Sequence, residues 1–216
     1  MIDFIKLAPF QKQLDAHIIQ KRGLEGQDLL LNTIFALQVE VAELANEVRF
    51  FKHWSADQEP RLTVIKDCEV CNGEGRFKAI DEYYEYETCS QCSGTGHDGV
   101  RNPVAEEYVD CLHFVLSIGN QLGVDWKQID VSDDGTFGIP RAFGLLISSI
   151  SSMWKAADAY KMSGSIRMKI EMIRLLMPVT ELLIDIGRLL DFTAQDIESA
   201  YMDKHEENYH RQANGY

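Results

Sequence analysis

Two short stretches, 37–47 (LQVEVAELANE) and 105–112 (AEEYVDCL), each carry a pair of acids three residues apart. Glu40 and Glu43 in the first and Glu107 and Asp110 in the second project, on helices, from one face of each helix. Both stretches are helical by their apolar spacing. Leu30, Ile34, Leu37, Val41, Leu44 and Val48 make one stripe, and Val104, Tyr108, Cys111, Leu112, Val115 and Ile118 make another behind Asn102 as a cap and Pro103 at the first helical position. The acids lie along the shoulders of these stripes, where they border a core. Two carboxylates ~5 Å apart at an effective dielectric of ~20 repel by roughly 3 kcal/mol, so a chain that gathers four of them must neutralise them. An oxygen-only set of this size suits Mg²⁺, which fills its octahedron with water and substrate phosphates. Spacing alone also fits two separate solvated faces, because ExxE and ExxD are common in helices.

The net charge of -13 and pI near 4.8 argue against a broad basic surface for nucleic acid, so a phosphate substrate has to be received through metal ions and a few placed cations. With 216 residues the chain is long enough for one globular domain and an embellishment. No run of 18 apolar residues occurs and the first residues lack a signal-peptide core, which predicts no membrane span and a cytoplasmic location.

The embellishment falls at 58–100, where helical periodicity stops and glycines concentrate. The expected division is an all-α catalytic domain from 1–57 and 101–216 around this inserted module. Cys68, Cys71, Cys89 and Cys92 form two CxxC pairs at the spacing of a four-cysteine zinc site, in a chain whose cysteines suit a reducing compartment. Each pair is followed by the same glycine pattern, CNGEG and CSGTG, which resembles the CxxCxGxG units of DnaJ-type zinc modules. Phe77, Ile80, Tyr83, Tyr84 and Tyr86 between the pairs suit a hairpin. Four reduced thiols or two disulfides are the other readings, and His97 is an alternative ligand. A segment this small is folded by ligation rather than burial, and four thiolates leave zinc no open position for chemistry.

The remaining elements read as helices. One runs from Pro9 to about Arg22, with Phe10, Leu14, His17 and Ile18 on its apolar face and Gln11 and Asp15 beside it. The first carboxylate helix spans about 28–51, so that Arg49 and Lys52 favour its C-terminal dipole, and Trp54 follows as either a core lid or a stacking face. After a loop at 125–139 come a helix over about 140–162 and an apolar one over 166–190, which Pro178 should kink or divide. Thr193 and Asp196 open the last helix as a capping box, and its face changes from Ile197 and Tyr201 to Lys204, Asn208 and Arg211.

An ExxE helix followed by an ExxD helix resembles the all-α NTP pyrophosphohydrolases, which include the MazG-like enzymes and the dimeric dUTPases. The stretches LANEVRFFKHWS, EEYVDCLHFVLSIG and DKHEENYHRQANGY resemble the dimeric dUTPase branch in particular. The resemblance implies an all-α helical bundle, a homodimer, and hydrolysis of dUTP to dUMP and pyrophosphate by in-line attack of a metal-activated water. It implies two or three Mg²⁺ on Glu40, Glu43, Glu107 and Asp110, a uracil pocket shaped by Gln11, Asp15 and Trp54, and a nucleotide grip by Lys204, Asn208 and Arg211. Glu40 is the preferred base, although spacing does not separate it from Glu43. The cysteine module has no counterpart in that branch and leaves room for a protein partner. A MazG-like enzyme acting on dCTP or non-standard nucleotides, and a partner-binding protein without catalysis, are the competing readings.

Overall fold

The computed structural model describes residues 2–78, 86–128 and 137–214. The chain divides into two compact units, Met1–Pro60 with Ala105–Tyr216 as the first and Arg61–Val104 as the second. Its long elements are all helical, α1 Phe4–Arg22, α2 Leu30–Val48, α3 Pro103–Leu122, α4 Ile139–Ser163, α5 Ile166–Leu189 and α6 Ala194–Ala213, and the fold is all-α.

In the first unit α4 packs along α5 and against α2, and α1 packs against α6. The stripes expected on the two acid-bearing helices form the core: Ile34, Leu37, Val41, Leu44 and Val48 of α2, and Val104, Tyr108, Cys111, Leu112, Val115 and Ile118 of α3, are buried, while Leu30 at the start of α2 is half-buried. Tyr108 Oη donates to Leu183 O of α5 at 3.0 Å. That approach requires Gly187, because a Cβ there would come within 2.7 Å of the phenol oxygen.

Three boundaries differ from expectation. α1 starts at Phe4 rather than Pro9, because Asp3 caps it by accepting from the Lys6 amide, and Pro9 lies inside the helix. α2 stops at Val48, and Arg49 adopts the left-handed conformation at φ 66°. This bend turns Arg49 away from the helix end: its buried guanidinium donates to Asp57 O at 2.7 and 3.1 Å and pairs with the Asp57 carboxylate at 3.2 Å. Arg49 therefore fixes the exit of α2 instead of answering its dipole. α5 runs undivided through Pro178. The capping box at Thr193 and Asp196 is present. Among the described residues no helix is long and apolar enough to cross a membrane.

The second unit consists of two short antiparallel ladders. β1 Val64–Asp67 pairs with β4 His97–Arg101, and β2 Arg76–Lys78 pairs with β3 Tyr86–Thr88. β2 and β3 flank the expected hairpin, of which Ile80, Tyr83 and Tyr84 lie outside the described residues, as do 129–136 of the loop expected at 125–139.

Candidate active site and cysteine centre

α2 and α3 bring carboxylate oxygens of Glu40, Glu43 and Glu107 within 4.8 Å of one another. Glu43 is exposed while Glu40 and Glu107 are half-buried. Burial, then the negative charges of Asp110, Glu43 and Glu107, push Glu40 up to about 7. Glu107 rises to about 7 for the same reasons, burial first and then Asp110 and Glu43. Burial first, and then the neighbouring negative charges, thus let Glu40 and Glu107 hold protons near neutral pH.

Asp110, the fourth expected member, is engaged elsewhere. Its Oδ2 accepts from Lys204 Nζ of α6 at 2.8 Å, with both side chains mostly buried. Burial keeps Asp110 above the ordinary carboxylate range in spite of that ammonium. Burial, the largest single influence, would lower Lys204, but its bond to Asp110 and the charges of Asp110 and Glu207 together lift it. Farther along α6, Glu207 lies 3.6 Å from Lys204 Nζ and 2.7 Å from Arg211 Nη2. Asn208 sits one turn beyond Lys204, partly exposed.

Behind this face lies a buried polar network that periodicity did not reveal. Gln11 Oε1 accepts from Tyr201 Oη at 2.9 Å and lies 2.6 Å from His113 Nδ1. Burial, then the charges of His205 and Lys204, lowers His113 to about 3, so its ring is neutral. The carbonyl of Gln11 then requires the proton on His113 Nδ1, and His113 Nε2 is the buried side-chain atom without a partner among the described residues. With its oxygen so occupied, Gln11 directs Nε2 to Asp15 Oδ1 at 2.7 Å. Ser117 also bonds to Asp15, yet burial holds Asp15 above its ordinary value. Gln11 is 4% exposed and Asp15 partly exposed, so Asp15 stands in front of Gln11. The stacking of His113 on Tyr201, ring centres 4.1 Å apart, was the missing signal: in sequence the histidine reads as one more residue on an apolar helix.

Trp54 is 68% exposed, with ring edges against Phe51 and His53 at 5.8 and 5.0 Å, so it is not a core lid.

In the second unit the four cysteines form the buried cluster. Their sulfurs lie within 4.8 Å of one another, Cys68 to Cys89 at 3.9 Å and Cys71 to Cys92 at 3.7 Å, and none is in a disulfide. The two CxxCxGxG stretches repeat the same bonds. Gly75 N donates to Cys71 Sγ at 3.2 Å and Gly96 N to Cys92 Sγ at 3.3 Å, while Cys68 N reaches Gly96 O and Cys89 N reaches Gly75 O, both at 2.9 Å. Only glycine fits at 75 and 96: each has positive φ, and a Cβ would fall 2.3 Å from Gly94 O or 2.2 Å from Gly73 O. His97 faces Asp67, Nδ1 to Oδ1 3.5 Å, and is not in the cysteine cluster.

A family model described as dUTPase matches residues 3–71 and 96–216 of the chain. The match covers every helix and omits 72–95, which includes Cys89 and Cys92. No curated protein matches the chain.

Proposed function

The chain belongs to the dUTPase family, and from that premise we propose that it hydrolyses dUTP to dUMP and pyrophosphate with Mg²⁺ held by Glu40, Glu43, Glu107 and Asp110. The observation that supports this most is the meeting of three carboxylates from two helices within 4.8 Å, with Glu40 and Glu107 pushed up to about 7. Lys204 alone does not neutralise such a set, whose oxygen-only donors fit a hard divalent cation. Bound there, two or three Mg²⁺ would neutralise phosphate oxygens and acidify a water for in-line attack.

The protein's own residues then have distinct tasks. Glu40, deeper than exposed Glu43, takes the proton of the attacking water. Lys204 and Arg211 hold phosphates, the first as a point charge and the second as a fork, and Asn208 holds the nucleoside. The open face of Trp54 stacks on the base. Asp15, aimed by Gln11, offers an acceptor that matches the N3–H of uracil and opposes the bare N3 of cytosine; a buried mismatch of this kind discriminates strongly. Hydrolysis should therefore be magnesium-dependent, with pyrophosphate released faster from dUTP than from dCTP, dTTP or UTP. Equal rates on dCTP and dUTP would defeat the substrate assignment.

The cysteine centre holds structural zinc in this reading. A tetrahedral site with Zn–S of about 2.3 Å has sulfurs about 3.8 Å apart, and the close pairs lie at 3.9 and 3.7 Å. Residues 58–100 are then an inserted zinc module, and its exposed surface is a place for a protein partner.

The functional form is a homodimer. Phe35 and Val39 on α2 are 59% and 41% exposed, and Leu145 and Ile147 on α4 are also exposed, apolar side chains that a second copy would cover. Light scattering should give twice the 24.6 kDa of one chain. Phe35→Glu should shift the mass toward a single chain, and a monomeric wild type would refute the assignment.

A further inference from the structure

We infer that Lys204 is a resident counter-cation, one that competes with the divalent metal for Asp110 in the nucleotide-free protein and passes to the triphosphate when substrate arrives. The inference rests on the magnesium-dependent reading above. Glu107 and Asp110 are one turn apart on α3, yet they have different partners: Glu107 joins Glu40 and Glu43, whereas Asp110 holds the Lys204 ammonium at 2.8 Å. Lys204 and Asp110 are only 13% and 17% exposed, so this pair is shielded from the salt that would erase it on a surface.

The ammonium also has a second place to go. Glu207 lies one turn along α6, 3.6 Å from Lys204 Nζ, and its other oxygen is anchored by Arg211 at 2.7 Å. Withdrawal from Asp110 leaves Lys204 beside an acid already next to the arginine proposed to grip phosphate. A positive charge at Asp110 opposes a divalent cation entering the same acids. A triphosphate that draws Lys204 away therefore strengthens metal binding, and by linkage the metal strengthens triphosphate binding to the same degree. One side chain couples the two.

The test is metal binding without turnover. Mn²⁺ affinity is read by electron paramagnetic resonance, and the Mg²⁺-induced rise in melting temperature by calorimetry, with and without α,β-imido-dUTP. Without nucleotide, Lys204→Met should bind Mn²⁺ several-fold more tightly than wild type and gain more in melting temperature from Mg²⁺. Lys204→Arg, which keeps the charge, should behave as wild type. The increase in Mn²⁺ affinity brought by the nucleotide should shrink in Lys204→Met. Unchanged or weaker Mn²⁺ binding by a folded Lys204→Met overturns the inference while leaving the magnesium site standing. Absence of Mn²⁺ binding by wild type in either condition overturns the magnesium site itself, and this inference with it. Should Lys204→Met fail to fold, Lys204→Gln provides the same neutral arm.

Discussion

Glu40→Gln should cut dUTP turnover by at least about a hundredfold and, without divalent metal, leave the protein more stable at alkaline pH than the wild type. Loss of a half-buried polar group ordinarily destabilises, so the second effect separates crowded acids from a passive polar patch. Glu40 and Glu107 are both held near 7 in the folded state, by burial first and then by neighbouring carboxylates. In the unfolded chain each reverts to its ordinary 4.5. A folded-state value above the unfolded one means that the folded protein keeps a proton the unfolded chain releases. The resulting stability is complete below about 4.5 and is lost as pH rises through 7. Allowing for solvent around half-exposed groups, the loss is on the order of 1 to 2 kcal/mol per carboxyl. Melting in EDTA should therefore fall between pH 5.5 and 8.5 for wild type, and fall less for Glu40→Gln. Mg²⁺ at pH 8.5 should recover wild type but not the variant. A variant that melts below wild type at pH 8.5 would sink the account of mutual repulsion.

Removal of zinc should unfold the second unit. Structural zinc in small modules supplies apparent binding free energies of about 10–16 kcal/mol, and the described residues of this unit bury little else. Its buried cluster is the four cysteines, and β2, β3 and β4 are exposed along their length. One zinc per chain is expected in the purified protein, lost in Cys89→Ser. Amides of 61–78 and 86–104 should then exchange freely while those of α5 and α6 stay protected. Gly75→Ala should produce the same signature with all four thiols intact, since its Cβ would collide with Gly94 O. Protected amides in a zinc-free chain would show that something other than the metal folds the unit.

The sequence made most of the architecture legible because its signals are local. The stripes on α2 and α3, the capping box at Thr193, and the doubled cysteine pattern each lie within a few turns of chain. What escaped was set across the fold or by backbone conformation. Pro9 suggested a helix start, but the capping carboxylate of Asp3 lies earlier and a helix tolerates one missing amide. Arg49 looked like a cation for a helix end until its left-handed backbone turned it onto Asp57. The four acids read as equivalent, yet α6 brings an ammonium that pairs with Asp110 while the oxygens of the other three gather within 4.8 Å. His113, Gln11 and Tyr201 come from three helices, and no periodicity relates them.

The pairing of β1 with β4 has an evolutionary consequence. Val64 stands opposite Arg101, and the Val104 amide donates to Arg61 O at 3.5 Å, so the chain leaves and rejoins at neighbouring points. A segment with adjoining ends behaves as a cassette: one in-frame gain or loss adds or removes it whole, and a turn of a few residues closes the gap without rethreading any helix. Excision between those points would leave the helices of the first unit in their order of connection.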